Sequence, residues 1–430
     1  MKIKSSRGVK DILPSEIDKW HWVENKAHEI FSLYGFKEIR IPIFENTKLF
    51  QRGIGDTTDI VQKEMYTFED KSGEQITLRP EGTAGVVRSY VEHKLYNPPS
   101  LLKVFYIGPM FRYERPQAGR FRQFYQIGVE AMGSPSPSVD AEVMTMLMDF
   151  FSALGLKDHC LEINSLGCPD CRPQHREILK SAIKGHLDNL CKNCNERYER
   201  NPLRVLDCKN ESCSTIAKEL PKTAEHLCEV CSGNFQQVQD LLTSVKIPWK
   251  LNPILVRGLD YYGRTAFEVK SASLGAQDAI CGGGRYDYLV EEFEGPSTPC
   301  FGFALGLERL ISLVPFEEMA SIEKRPDVFM VCLGEVAQAK GFEYANEMRR
   351  NKIYVERDAE GSSMKSQMRK ADKSGARYTL ILGENEIRDN KFVLKSMEDG
   401  SQEEISASGD YMELLTQRLN PKTVSEITHG

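Results

Sequence analysis

Between Gly108 and Glu130 the chain reads GPMFRYERPQAGRFRQFYQIGVE, with arginine, glutamate and glutamine set among strand-forming residues. Residues two apart on a strand share a face, so Arg112 and Glu114 point together, and Phe124, Gln126 and Glu130 share parity on the returning strand. Charges of both signs buried on one sheet face are costly unless each meets a partner. Such a face suits a phosphate and a small charged molecule bound side by side. From composition alone, a surface hairpin of mixed charge is the simpler reading.

Metal chemistry is the second candidate. Of 12 cysteines, eight fall in four close pairs: Cys168/Cys171, Cys191/Cys194, Cys208/Cys213 and Cys228/Cys231. A CxxC places two thiolates on one Zn²⁺, so four pairs predict two tetrahedral structural zinc sites. The alternative is reduced thiols in a helical insertion, and spacing does not say which pairs would share a metal. The N-terminal MKIKSSRGVKDILPSE has no apolar segment behind its positive charges, so neither a secretory signal nor a disulfide framework is expected. The cytoplasm is the expected compartment, and no apolar run reaches the roughly 18 residues of a membrane span.

The formal net charge of −6 offers no global attraction to a polyanion, yet Met348 to Arg377 carries nine Lys/Arg against four Asp/Glu. Alone, that stretch reads as a solvated helix face. There is no GxxxxGK[ST] loop, no HExxH and no Ser/His/Asp signature. The Gly282–Gly284 run does not fit GxGxxG and reads as a tight turn. Catalysis would have to rest on charge placement rather than a covalent nucleophile.

Elements that could position these groups follow from periodicity. Ile17 to Tyr34 has helical spacing, with Ser15 as the expected cap and Gly35 as the stop. FKEIRIPIFE reads as a strand, placed at an edge or bulge by Pro42. EMYTFED and GEQITLRPEG form a hairpin turned at Lys71–Gly73, then come a helix from Thr83, the strand LLKVFYIGPMFRYE and the strand RFRQFYQIGVEAMG. A Met-rich core helix covers Asp140–Leu154. Residues 168–235 are polar and helical. Strands resume with RTAFEVKSAS and DAICGGGRYD, and PCFGFALGLERLISLV runs from buried strand into helix, followed by a linker over 315–326. The last hundred or so residues alternate strand and helix, which predicts a small α/β domain with some parallel pairing. The body ahead of it predicts an α+β domain with an antiparallel sheet.

With these residues in view, the chain resembles the bacterial-type histidyl-tRNA synthetases, densely over residues 5–330 and more loosely beyond. FRYERPQ…GRFRQF is similar to motif 2 of class II aminoacyl-tRNA synthetases, FGFALGLERL to motif 3, and KEIRIPIFE with its proline to motif 1. TLRPEGTAG, LVRGLDYYGRTAFEV and SLGAQDAICGGGRYDYLV are similar to segments that mark the histidine-specific member. The resemblance implies a catalytic domain (1–325), an insertion within it (168–235) and an anticodon-binding domain (326–430). It implies ATP-dependent attachment of L-histidine to tRNA(His) through a histidyl-adenylate.

The resemblance also implies roles. Glu81, Gly82, Thr83, Gln126 and Glu130 would hold the histidine ammonium and imidazole, with Tyr261 and Tyr262 closing the pocket. Arg112 would bridge the histidine carboxylate and the α-phosphate, and Arg257 would lie across that phosphate, making these two the catalytic pair. Glu114 would face the adenine between Phe124 and Arg309, and Arg120 would reach the outer phosphates of ATP, which arrives with Mg²⁺. Arg115, Gln117 and Gly119 would meet the tRNA acceptor end, the basic C-terminal stretch its anticodon arm, and motif 1 a second subunit in a homodimer. The cysteine insertion departs from the best-known form of the family. A rival of another class is a non-catalytic, histidine-sensing regulatory subunit of histidine biosynthesis. Such paralogs tend to lose the phosphate-binding arginines and the C-terminal domain, whereas Arg112, Arg257, Arg309 and the tail are present here. A zinc-dependent RNA-binding module is a third reading, and it leaves the Glu/Gln/Tyr group unexplained.

Overall fold

Helix α1 (Pro14–Leu33) opens the described chain and buries Trp20, Val23, Ala27 and Phe31 along one stripe. Pro14 at its first turn starts it; the residue at the cap is Leu13, without a side-chain bond, so Ser15 is not the cap. Proline suffices there, because its φ is preset and its missing N–H would be unpaired anyway. The computed structural model describes residues 3–55, 58, 60–117, 119–259, 261–275, 278–315, 322, 324–408 and 411–419. Most of the expected 315–326 linker therefore lies outside the described residues. The chain divides into two units, Met1–Ile322 and Glu323–Gly430.

The single strand expected over FKEIRIPIFE is two, β1 (Lys37–Glu38) and β2 (Phe44–Asn46), which enter different sheets. At the break, the buried Arg79 donates Nη1 to the carbonyls of Ile41 (2.7 Å) and Pro42 (3.3 Å), and Nε to that of Pro109 (2.8 Å). Proline at 42 cannot donate to a ladder, and the guanidinium takes the carbonyls that a ladder would have used. Helix α2 (Thr47–Ile54) follows, then the hairpin of β3 (Tyr66–Glu69) and β4 (Gln75–Leu78), helix α3 (Thr83–Glu92), and the long pair β5 (Leu102–Phe111) and β6 (Gln123–Met132). Helix α4 (Pro137–Ala153) is the Met-rich one, and its Met144, Met146 and Met148 are core.

After β7 (Cys160–Ser165) the insertion contributes α5 (Arg172–Lys184), α6 (Lys192–Arg200), α7 (Glu211–Glu219) and α8 (Glu229–Ser244). Then come β8 (Trp249–Leu251), β9 (Gly263–Lys270), β10 (Ala279–Arg285), α9 (Leu289–Glu292), β11 (Cys300–Gly306) and α10 (Leu307–Leu313). The main sheet has the order β1-β5-β6-β11-β10-β9-β7-β8, antiparallel except where β1 meets β5 and β7 meets β8. Phe105, Val129, Phe303 and Phe267 point from it to one core with Phe31, Phe150 and Phe151 of α1 and α4. A small sheet, β2-β4-β3, stands apart.

In the second unit, β12 (Val328–Cys332) pairs in parallel with β13 (Val355–Arg357) and β14 (Tyr378–Leu382), as the strand–helix alternation predicted. Helices α11 (Glu335–Arg350), α12 (Met364–Ser374), α13 (Glu384–Arg388) and α14 (Tyr411–Leu419) accompany them. β15 (Lys391–Ser396) and β16 (Gln402–Ser406) add antiparallel strands; β16, not foreseen, is polar apart from the buried Ile405.

Candidate functional site

On the face opposite α1 and α4, the main sheet carries many small residues, with α3 and α9 packed at one end. One cross-strand row runs Tyr106, Gly128, Ala304, Gly282, Glu268; the next runs Val104, Glu130, Gly302, Gly284, Ala266. The Gly282–Gly284 run, expected as a tight turn, is thus the middle of strand β10. Its glycine serves close approach: a Cβ on Gly282 would stand 2.2 Å from the Arg257 guanidinium. Above this floor lies a cleft of about 320 Å³ lined by Glu81, Thr83, Arg112, Glu114, Arg120, Phe124, Gln126, Arg257, Tyr261, Tyr262 and Arg309.

One end of the cleft is built of acceptors. Glu81 caps α3, taking the N–H of Thr83 (2.7 Å) on one carboxylate oxygen and that of Ala84 (2.9 Å) on the other. Each carboxylate oxygen can accept twice, so both keep capacity for a further donor. On the same face, covered by Thr83 and Tyr286, Glu130 accepts from Thr83 Oγ1 (2.8 Å) and from the Tyr286 hydroxyl (2.5 Å). Burial pushes its pKa up to about 8, against the pull of those two hydroxyl bonds, and Glu81 adds to the rise. Burial likewise raises Glu81. Among the described residues, Gln126 Oε1 is buried without a hydrogen-bond partner. Tyr261 and Tyr262 close the side, their rings 4.6 Å apart and Tyr261 edge-on to Tyr286.

The other end is arginine-rich. Arg112 lies just past β5, which ends at Phe111 rather than continuing to Glu114; its Nε donates to the Pro80 carbonyl (2.8 Å) and its guanidinium lies over Phe124 (5.3 Å). Arg257 donates to Glu268 Oε1 (2.8 Å) and lies over Tyr262 (5.4 Å). Arg120 and Glu114 form an ion pair (2.8 Å), and Arg309 reaches the carbonyls of Gly119 (3.3 Å) and Ala279 (3.0 Å). Glu308 takes the Tyr125 N–H on its carboxylate, and burial raises its pKa to about 7.

Four expected residues are not in the cleft's lining: Glu130, buried behind Thr83 and Tyr286, and three that lie elsewhere. Gly82 packs under the Tyr106 ring, where a Cβ would come within 2.3 Å. Arg115 and Gln117 are exposed in the β5–β6 loop, which Gln117 and Arg120 close with a short bridge. Reading the sequence alone missed Tyr286, Glu268, Glu308 and the Gly282 notch. The signals were present in GGGRYDY, RTAFEV and GLERL, but the partners they meet are remote in the chain.

The eight cysteines gather as Cys168, Cys171, Cys228, Cys231 and as Cys191, Cys194, Cys208, Cys213, with all sulfurs of a group within 4.8 Å of one another. Sγ separations are 3.6 Å (168–171), 3.9 Å (168–228) and 3.8 Å (191–208). A tetrahedron with Zn–S of about 2.3 Å has edges of about 3.8 Å. Cys171 and Cys213 sulfurs also accept main-chain N–H groups of Cys228 (3.1 Å) and Cys191 (3.2 Å). The donors and their spacing fit a thiophilic divalent ion.

In the second unit, several of the expected basic residues are engaged locally: Arg349 with the Val355 carbonyl, Lys370 with Asp358 and Glu360, Arg377 with Asp327. Lys365, Arg369 and Lys373 remain as an exposed stripe at every fourth position of α12.

No helix among the described residues is long and apolar enough to cross a membrane. A family model described as histidyl-tRNA synthetase matches residues 8–310, and one described as an anticodon binding domain matches residues 327–412. The chain is 52% identical over 406 residues to a histidine–tRNA ligase of Halothermothrix orenii, covering 94% of this chain and 97% of that one. A Geobacter sulfurreducens histidine–tRNA ligase is 49% identical over 403 residues, covering 94% and 97%. Among solved structures, the apo S. aureus histidyl-tRNA synthetase superposes with a TM-score of 0.81 at 40% identity, over 96% of this chain and all of that one. A Bacillus halodurans protein described as an ATP phosphoribosyltransferase regulatory subunit/histidyl-tRNA synthetase gives a TM-score of 0.65 at 19% identity, over 89% of this chain and 99% of that one, a likeness of fold.

Proposed function

Because this chain belongs to the histidyl-tRNA synthetase family, we propose that its cleft activates L-histidine with ATP and passes it to tRNA(His), in the cytoplasm. One observation carries the reading: a pocket of acceptors (Glu81 and Gln126 Oε1, with Glu130 buried behind Thr83) opens onto a run of arginines (Arg112, Arg257, Arg309, Arg120). A molecule with an ammonium and a ring N–H at one end and phosphates at the other answers both halves. An amino acid without a ring donor would leave buried acceptors unpaired, a loss that typically separates substrates by about 10⁴–10⁵. The regulatory-subunit alternative has no use for the arginines or for the anticodon-type domain.

In the first step a histidine carboxylate oxygen bonds to the α-phosphorus, and the bond to the β-phosphate oxygen breaks, releasing pyrophosphate. No proton need be removed, so the protein's work is placement and charge neutralisation. Arg112, fixed by Pro80 and Phe124, bridges the carboxylate and the α-phosphate; Arg257 lies across the same phosphate. Arginine suits both, being always charged and able to bind phosphate as a fork. ATP enters as its Mg²⁺ complex, adenine between Phe124 and Arg309 and facing Glu114, outer phosphates toward Arg120. That placement requires the Arg120–Glu114 ion pair to part as ATP arrives. In the second step the terminal ribose hydroxyl of the tRNA takes the acyl group, releasing AMP and a proton. Arg115 and Gln117, exposed in the adjoining loop, meet the acceptor end. A neighbouring cleft lined by Arg197, Arg200 and Arg204 continues that basic wall.

The Lys365, Arg369, Lys373 stripe supports phosphate contacts by the second unit. The cysteine groups hold two structural zinc ions. A homodimer is supported by the small sheet, whose outer face leaves Phe44 57% and Phe68 48% exposed, beside the exposed Ile43 and Tyr113.

Histidine-dependent ATP–pyrophosphate exchange, with the other amino acids as controls, tests the reading. Exchange with histidine alone is expected. Histidine binding without exchange would transfer the reading to the regulatory class.

A further inference from the structure

We propose that the cysteine insertion positions the catalytic segment 255–264, through Arg172 and Arg204, which tie its two sulfur groups to the main chain of Tyr262 and Arg257. The inference rests on the cleft reading above. Arg172 directly follows Cys171, and its Nη2 donates to the Tyr262 carbonyl. Beside Cys168, the Gly167 carbonyl accepts from Arg264 N (2.9 Å), and Leu166 N donates to the Arg264 carbonyl (2.7 Å). Arg264 has φ +48°, a strained value for a side chain that persists only where the surroundings enforce it. At the other group, Asp207 precedes Cys208 and pairs with Arg204 (3.3 Å) and Arg197 (3.5 Å). Arg204 in turn donates Nη1 to the Arg257 carbonyl (3.3 Å). Val256 and Tyr262 share an apolar cluster with Cys194, Cys213, Val205 and Leu206.

The segment that carries Arg257, Tyr261 and Tyr262 therefore hangs at one end from Arg172, next to Cys171, and at the other from Arg204, which pairs with Asp207 next to Cys208. A sulfur group closed on a metal holds those anchors in register. An open group lets them drift, and a misplacement near 1 Å costs about a hundredfold in rate. Arg172 and Arg204 act through other residues and are positioning residues.

The test uses the full-length, metal-loaded protein with Arg204→Met, Arg172→Met and the two lysine versions. Metal content, melting temperature, kcat and histidine KM in pyrophosphate exchange, and amide hydrogen exchange over 255–264 are measured together. Arg204→Met should cut kcat about tenfold or more with histidine KM little changed, since it bears on Arg257. Arg172→Met should chiefly raise histidine KM, since it bears on Tyr262. Both should keep metal and melting temperature, and lysine should restore part of each loss. Stripping the metal with a chelator should speed amide exchange over 255–264 but not over β5 and β6. Wild-type values of both kinetic constants, or a loss of metal and stability that lysine does not restore, would overturn the proposal. Were the wild-type protein itself inactive with histidine, the cleft reading would fail, and the amide exchange response would still decide the positioning.

Discussion

Gly282→Ala isolates Arg257 without touching it. The built Cβ stands 2.2, 2.3 and 2.5 Å from the Nη2, Nη1 and Cζ atoms of Arg257, and ordinary contact begins at 3.4 Å, so the guanidinium must retreat by about 3.4 − 2.2 = 1.2 Å. Because its obstacle is the end of a flexible side chain, the strand itself is not disturbed. Alanine in place of a strand glycine is worth about 0.5–1 kcal/mol in the fold's favour. Melting temperature should hold or rise. Rate should not: a displacement near 1 Å costs about 10²-fold, or about 2.7 kcal/mol of barrier. The assay is histidine-dependent pyrophosphate exchange on Gly282→Ala, Arg257→Ala and the double variant. Arg257→Ala should itself lose more than about 10² while remaining folded. The double variant should be no worse than Arg257→Ala, because both changes remove one interaction. A Gly282→Ala enzyme within threefold or so of wild type, beside a crippled Arg257→Ala, would refute the stated position of Arg257 during catalysis.

The raised pKa of Glu130, about 8, has a definite sign. On the proposed reading a histidine N–H group binds the ionised form, so KM should climb as pH falls from 8 toward 7, by at most about tenfold per unit, and Glu130→Gln should remove the slope. The same raised value makes the folded protein the stronger proton binder below pH 8, so unliganded stability should decline as pH rises from the ordinary carboxylate range to 8, a trend in melting temperature that Glu130→Gln should flatten. Metal analysis should find two zinc ions per chain and one in Cys194→Ser; fewer than one in the native protein would defeat the assignment. Replacing Lys365, Arg369 and Lys373 by glutamine should weaken tRNA binding and reduce its salt slope by up to about 0.7–0.9 per lost phosphate contact, leaving pyrophosphate exchange unchanged.

Much of the site was legible because strand parity is local. Phe124, Gln126 and Glu130 do share a face, and the sheet, the Met-rich helix and the parallel C-terminal strands follow from periodicity. What escaped was decided between distant segments. Nothing near Pro42 tells that Arg79 will take the carbonyls on either side of the kink. Gly282 looks like a turn until Arg257 is laid across it. The nested cysteine pairing, 168/171 with 228/231 around 191/194 with 208/213, is set by how α5 to α8 fold back, which spacing does not encode. β16 has one buried side chain, too weak a pattern to announce a strand.

Arg79 also couples two tasks. Its guanidinium clamps the chain between β1 and β2 to the Pro109 carbonyl, three residues before Arg112, and two residues after Arg79 comes Glu81. The sheet that exposes Phe44 and Phe68, the face proposed above for a second subunit, and the strand that leads into Arg112 thus pivot on one buried side chain. In the proposed homodimer, subunit association and amino-acid recognition would be mechanically in series. Diluting the dimer into monomers would then slacken the active site before any of the fold is lost, and specific activity would depend on enzyme concentration even with every substrate saturating.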